Sequence, residues 1–194
     1  MQRLLVLLLL IGLCKCAKGQ ETDDVKNVMR TVTSSMNVNY NVCTDNAGFP
    51  NYLIKQVNTY LEKDTLLHLS PEEKIELQDK LLAAQHVPKW QGSAVNGIPI
   101  IKTDTVKKAM GDSAKVWEYF KKKYPKPFSY TLHTFSRPVF IRNNTVCLFY
   151  SDSGRYGGLN PWNHEEDASS GELCIYIKDG NTWVKKITVY CYNT

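Results

Sequence analysis

The sequence predicts an α+β fold, with N-terminal helices packed on one face of a C-terminal antiparallel sheet, a meander of about four strands. Three observations predict it. Apolar residues recur at helical spacing up to about residue 125, they alternate at strand spacing after Pro127, and Pro125 and Pro127 separate the two regimes.

The chain opens on Met1-Gln2-Arg3, an apolar run from Leu4 to Leu13, and Ala17-Lys18-Gly19, the three-part layout of a secretory signal peptide. The apolar core is about ten residues, half of the roughly twenty that a spanning helix needs, so no transmembrane segment is expected. Cleavage after Gly19 would leave residues 20–194 as a single α+β domain, with a helical half at 20–125 and a strand half at 128–194. The implied location is secreted or periplasmic. The alternative is a membrane-anchored lipoprotein: Ile11-Gly12-Leu13-Cys14 resembles a lipobox, although Leu13 is bulkier than that motif wants before a lipidated Cys14.

Removing residues 1–19 changes the bulk reading. Arg3, Lys15 and Lys18 leave with no acid, so a formal charge of +5 falls by three to +2. That charge is too small to argue for nucleic acid or an anionic membrane. Cys14 and Cys16 also leave, and Cys43, Cys147, Cys174 and Cys191 remain, an even number that permits two disulfides in an exported chain. An apolar content of 43% with 22% charged residues is that of an ordinary globular domain, not of a disordered chain.

In chain order, Val25, Val28, Met29, Val32 and Met36 form a helical stripe, with Glu21, Asp23 and Asp24 near the N-terminal end that favours negative charge. The Asn-rich stretch ending in Ala47-Gly48-Phe49-Pro50 reads as a loop carrying Cys43. A second helix is expected from Asn51 to Lys63, with Leu53, Val57, Tyr60 and Leu61 on one side. Ser70-Pro71-Glu72-Glu73 combines a capping serine, a proline at the first helical position and a glutamate able to close a capping box. The helix that it starts should turn Leu77, Leu81 and Ala84 inward and stop near His86. Gly92, Gly97 and Pro99 argue for a loop ending in a short extended piece, and a further helix should carry Val116, Trp117, Phe120 and Tyr124.

Beyond Pro127 the expected strands are Ser129–Phe135, a short Pro138–Ile141, Thr145–Tyr150, Glu172–Lys178 and Thr182–Tyr192, the last two joined by a tight hairpin at Asp179-Gly180-Asn181. Alternation places Val146, Leu148 and Tyr150 on one face and Cys147 and Phe149 on the other. Leu173, Ile175 and Ile177 oppose Cys174 and Tyr176, and Trp183, Ile187, Val189 and Cys191 oppose Thr188, Tyr190 and Tyr192. With the aliphatic faces toward the helices, the favoured pairings are Cys147 with Cys174 and Cys43 with Cys191. Phe149, Tyr176, Tyr190 and Tyr192 would then share an aromatic surface, either covered by chain or open to a ligand.

Between Ser151 and Glu172 lies a long loop, 151–171, holding Trp162, His164, Glu165, Glu166 and Asp167. Long loops without secondary structure tend to be functional or disordered. Carboxylates beside an imidazole suit a cation or acid–base chemistry, and a tryptophan beside polar groups suits a sugar or a peptide, but the spacing matches no metal motif. His68, His86 and His133 stand alone in sequence and read as surface or capping residues. No Gly-x-Ser-x-Gly, P-loop or dinucleotide motif is present, so no cofactor is expected. Lys121-Lys122-Lys123 suits a helix C-terminus, and Asn143-Asn144-Thr145 fits a glycosylation acceptor.

Ser136-Arg137-Pro138-Val139-Phe140, Cys147-Leu148-Phe149-Tyr150, Gly171-Glu172-Leu173-Cys174-Ile175-Tyr176 and Gly180-Asn181-Thr182-Trp183 together resemble the C-terminal meander of small exported proteins of Bacteroidetes-type bacteria. The resemblance covers about a third of the chain. The Cys-Gly pairs of that group's turn are missing here, and the group implies no function. More distantly the arrangement is similar to NTF2-like domains, which set helices before a curved sheet, and that similarity would make the aromatic face a pocket.

The expected function is that of an exported, non-catalytic binding domain for a small molecule, glycan or protein. One alternative is an extracytoplasmic hydrolase using His164 with Glu165, Glu166 or Asp167. The other is a secreted inhibitor or envelope interaction protein whose loop enters its partner.

Overall fold

The computed structural model describes residues 23–36, 41–63, 66–87, 89–91, 94–110, 118, 122, 130–156 and 166–193. The expected signal peptide, with Cys14, lies outside them. So does the expected helix around Val116–Tyr124, apart from Glu118 and Lys122, which are helical. No helix among the described residues is long and apolar enough to cross a membrane.

The fold is α+β, but the sheet is larger than a four-stranded meander and is mixed. In chain order the elements are α1 (23–33), β1 (Asn41–Thr44), α2 (Asn51–Glu62), α3 (Pro71–Ala84), β2 (Ala94–Val95), β3 (Ile98–Ile101), α4 (Thr103–Met110), β4 (Tyr130–Phe135), β5 (Val139–Ile141), β6 (Val146–Tyr156), β7 (Glu166–Asp179) and β8 (Thr182–Asn193). The sheet order is β2-β3-β1-β4-β6-β7-β8, with β5 also pairing with β6. β1 runs parallel to both β3 and β4, and the other pairs are antiparallel. The expected helical half therefore contributes three strands. β1 replaces the loop expected around Cys43, and Asn96-Gly97 turns β2 into β3 with positive φ at both residues, as the tightest hairpins require.

The expected helices α2 and α3 form where the sequence placed them, and for the expected reasons. Leu53, Val57 and Leu61 are buried on α2, and Leu77, Leu81 and Ala84 on α3. Ser70 accepts from the Glu73 amide at 3.2 Å while the Ser70 amide donates to Glu73 Oε2 at 3.0 Å, completing the capping box. Glu73 has a second task that local sequence does not announce. Arg142, in the β5–β6 turn, donates to both of its oxygens at 2.7 and 2.8 Å and to the Leu67 carbonyl at 3.0 Å. Arg142 and the Ser70 amide hold the Glu73 carboxyl down at about 2, against 4.5 for an ordinary glutamate. A carboxyl with a depressed folded pKa adds stability above about pH 4.5 that is lost as pH falls toward 2. Arg142→Ala is expected to cost about 1–2 kcal/mol at pH 7, the range for a charge-assisted but partly exposed pair. Thermal unfolding should also lose part of its acid dependence between pH 4.5 and 2, and an identical acid limb in the variant would count against the pair.

Helices cover both faces of the sheet, which corrects the one-sided expectation. On the first face, α2 and α3 pack against Val139, Ile141, Val146, Leu148, Leu173 and Ile175. On the second, Val28 and Met29 of α1 close over Phe135, Phe140, Phe149, Cys174, Tyr176 and Trp183. The reason lies in the strands themselves. β6 and β7 are apolar at both parities, so both faces need a cover. Strand alternation is followed through β5, β6 and β7, where Val139 and Ile141 fall on the first face and Phe140 on the second.

β8 breaks the alternation. Its register against β7 shifts twice, between Leu173 and Cys174 and between Ile175 and Tyr176, leaving Val189 and Lys186 as extra residues. Trp183 therefore sits on the second face while Ile187 and Tyr190 pack on the first. The bulges, with Lys185 and Lys186, also blunt what would be a long flat sheet edge.

Candidate functional site

α2 and α3 cover only part of the first face. Toward the far ends of β4, β6 and β7 that face opens into a cleft of about 450 Å³, within the roughly 300–1,000 Å³ common for small-molecule sites. Thr134, Tyr150, Asp152, Ser169 and Tyr192 are among the residues that line it from the strands, and Tyr52 and Thr103 line it from the first turns of α2 and α4.

One row across four strands organises the floor. Thr134 opposes Asp152, Asp152 opposes Gly171, and Gly171 opposes Tyr192. A Cβ at Gly171 would run into the Tyr192 ring and lie 3.1 Å from the Tyr150 hydroxyl. The missing side chain lets the Tyr192 ring lie across β7 and donate from its hydroxyl to Asp152 Oδ1, two strands away, at 2.5 Å. The Tyr150 hydroxyl is also bonded to that of Tyr52, at 2.8 Å, and Thr44 Oγ1 meets Thr134 Oγ1 at 3.2 Å. Burial raises the pKa of Tyr150 and Tyr192, and their hydrogen-bonded neighbours, Tyr52 and Asp152, raise them further. Both phenols stay protonated at any physiological pH.

The mouth of α4 is closed to anions. Asp45, directly after β1, accepts from the Thr103 amide at 2.8 Å and from the Thr103 hydroxyl, and pairs with Lys89 at 3.1 Å. Burial by itself would raise the Asp45 carboxyl, but the bonds from Thr103 and Lys89 outweigh it and leave the pKa below the ordinary value. Asp45 thus occupies the helix N-terminus as its resident carboxylate. Among the described lining residues there is no histidine, cysteine or lysine, and Asp152 is the one carboxylate. The described lining residues thus assemble neither a nucleophile with a histidine or lysine base nor a carboxylate pair.

A smaller depression of about 290 Å³ lies on the second face, beside Met36, His133, Ser151, Glu172 and Cys191. Its imidazole and its carboxylate are already engaged. His133 bonds Asn41 Oδ1 at 2.7 Å and stacks on Phe135, and Glu172 pairs with Lys185 at 2.5 Å. His133 is buried rather than on the surface, and burial lowers its pKa to about 4, so it is neutral. His68 and His86 are exposed, as the sequence reading had them.

The residues singled out by sequence are distributed differently. Phe149 and Tyr176 are core residues of the second face, ring to ring at 6.4 Å. Tyr190 and Tyr192 stand on the first face with Ile187 because of the bulge at Val189, so the four aromatics do not share one surface. Most of the expected 151–171 loop is strand: β6 continues to Tyr156 and β7 begins at Glu166. Glu166 and Asp167 open β7, while Trp162, His164 and Glu165 lie outside the described residues.

Cys43, Cys147, Cys174 and Cys191 are separate thiols, none at disulfide distance from another. Cys147 opposes Tyr176 and Cys174 opposes Phe149, a diagonal of about 7–8 Å where a bridge needs Cβ atoms about 4 Å apart. Cys191, on the edge strand, pairs with Glu172 and lies four strands from Cys43. Burial pushes the Cys43 thiol up to about 12, as for a small core hydrophobe.

Reasoning from sequence missed Tyr52, Tyr150, Asp152 and Thr134 as site residues. The available signal was parity: Tyr150, Asp152 and Gly154 are two apart and share a face once β6 is allowed to continue. No family model, curated protein or solved structure matches the chain.

Proposed function

We propose that the protein is an exported, non-catalytic binding domain, secreted or periplasmic, whose small-molecule ligand occupies the cleft above Asp152. The observation that carries this reading is the uncovered part of the first sheet face. Elsewhere the apolar faces of β6 and β7 are closed by helices, whereas here a concave surface presents hydroxyls already ordered by one another. Pre-ordered polar groups reduce the ordering cost of binding. The hydrolase alternative is disfavoured at this site because its one carboxylate already accepts from Tyr192 and has no basic partner among the described lining residues.

The test is a fragment library screened by amide chemical shifts on the ¹⁵N-labelled chain of residues 20–194. Hits are expected to move Thr44, Asn46, Thr103 and Ser169 together and to raise the melting temperature. Hits that gather elsewhere, or a library that moves none of these amides, would overturn the reading.

A further inference from the structure

We infer that the ligand of this cleft is a neutral polyhydroxylated molecule, an uncharged oligosaccharide, recognised by a phenol relay ending on Asp152. The inference rests on the binding reading above and names its ligand class.

The lining argues from what it offers. Thr44, Thr134 and Ser169 contribute hydroxyls, which as a type both donate and accept; Thr103 adds a hydroxyl that already donates to Asp45, and Asn46 an amide whose oxygen already accepts from Gly48. A sugar ring, whose hydroxyls also do both, is the ligand class that such a set satisfies without leaving a buried group unpaired. An anion would meet the Asp152 carboxylate with no lysine or arginine among the described lining residues to compensate, and the start of α4 is already taken by Asp45. A purely apolar ligand would strip water from the hydroxyls and return nothing. Against a cationic ligand, Asp152 Oδ1 is already engaged by Tyr192 at 2.5 Å.

The relay sets direction. Tyr192 spends its proton on Asp152, so its oxygen is an acceptor toward the cleft. The Tyr150 hydroxyl shares one bond with that of Tyr52 at 2.8 Å and lies against the Tyr192 oxygen, so the three phenols form a chain that ends on Asp152. Neither Tyr150 nor Tyr192 ionises near neutrality, so these roles hold across physiological pH. Tyr52, 53% exposed at the start of α2 and edge-on to Tyr150 and Tyr190, supplies the aromatic surface on which the apolar face of a sugar stacks.

The experiment titrates the labelled chain with neutral trisaccharides (of glucose, mannose, xylose and N-acetylglucosamine), with a uronic-acid trisaccharide and with a glucosamine trimer. At least one neutral trisaccharide is expected to shift the cleft amides saturably. Tyr192→Phe, which keeps the ring over Gly171, should weaken it about tenfold through the lost hydrogen bond. Asp152→Asn, which also keeps the floor filled, should weaken it comparably. If the cleft amides respond only to the charged sugars, or only to non-sugar fragments, the ligand class is wrong and the cleft remains a binding site. If no neutral saccharide binds and the fragment screen is also silent, both readings fall. Binding unaffected by both substitutions would overturn the relay.

Discussion

Phe149→Ala is expected to lower the stability of the fold by about 3–5 kcal/mol, read as the shift of the denaturant midpoint at constant slope. Phe149 is 1% exposed, its ring is 6.0 Å from that of Phe135 and 6.4 Å from that of Tyr176, and the cluster around it is the one that α1 closes. Removing the ring leaves a cavity between two helically covered layers that cannot collapse without moving the sheet. The same variant discriminates between the two readings of the aromatic residues. A ring lining a ligand surface would cost affinity when truncated and little stability. A core ring costs stability and leaves the cleft, on the opposite face, nearly unchanged. A loss below about 1 kcal/mol would mean that this face is not closed.

The physical reasons for what was legible differ from element to element. α3 was readable because its start is a local chemical event: Ser70, Pro71 and Glu73 form the cap within four residues of one another. The faces of β6 and β7 were readable because their apolar runs are regular and their pairing has no shift between Val146 and Arg155. β1 was not, since a four-residue strand among asparagines is stabilised only by two parallel neighbours far away in sequence. β8 was misassigned because a bulge changes parity without any residue-level signature: counted from Ile187, the bulge at Val189 moves Tyr190, Cys191 and Tyr192 to the other face, and the bulge at Lys186 does the same to Trp183.

The cleft was hidden for a related reason. Its floor is built from Asp152, Gly154, Ser169 and Gly171, residues that are poor strand formers and read as a loop. Pairing with β4 and β8 on either side holds them extended, and the same small or polar side chains that obscure the strand keep the cleft from filling. Local propensity and global fold disagree there, as is common where a protein keeps a site rather than a core.

Lys178→Met is expected to cost about 3–5 kcal/mol, and the double variant Asp24→Leu/Lys178→Met to recover most of it. Asp24 lies in the first turn of α1 and is 2% exposed; Lys178 Nζ holds its Oδ1 at 2.6 Å from the end of β7, while Oδ2 is buried with no hydrogen-bond partner among the described residues. Removing the lysine leaves a carboxylate stranded under the second face, with the helix dipole alone to stabilise it. Removing both charges leaves two apolar side chains beside Trp183, over whose ring Lys178 Nζ already stands at 5.7 Å. The cycle therefore separates the pair's net contribution from the penalty of breaking it. Recovery in the double variant would identify the pair as what sets the position of α1 on the sheet, with the apolar contacts of Val28 and Met29 supplying the affinity. No loss in the single variant would mean that water reaches Asp24, and that α1 does not close the second face in solution.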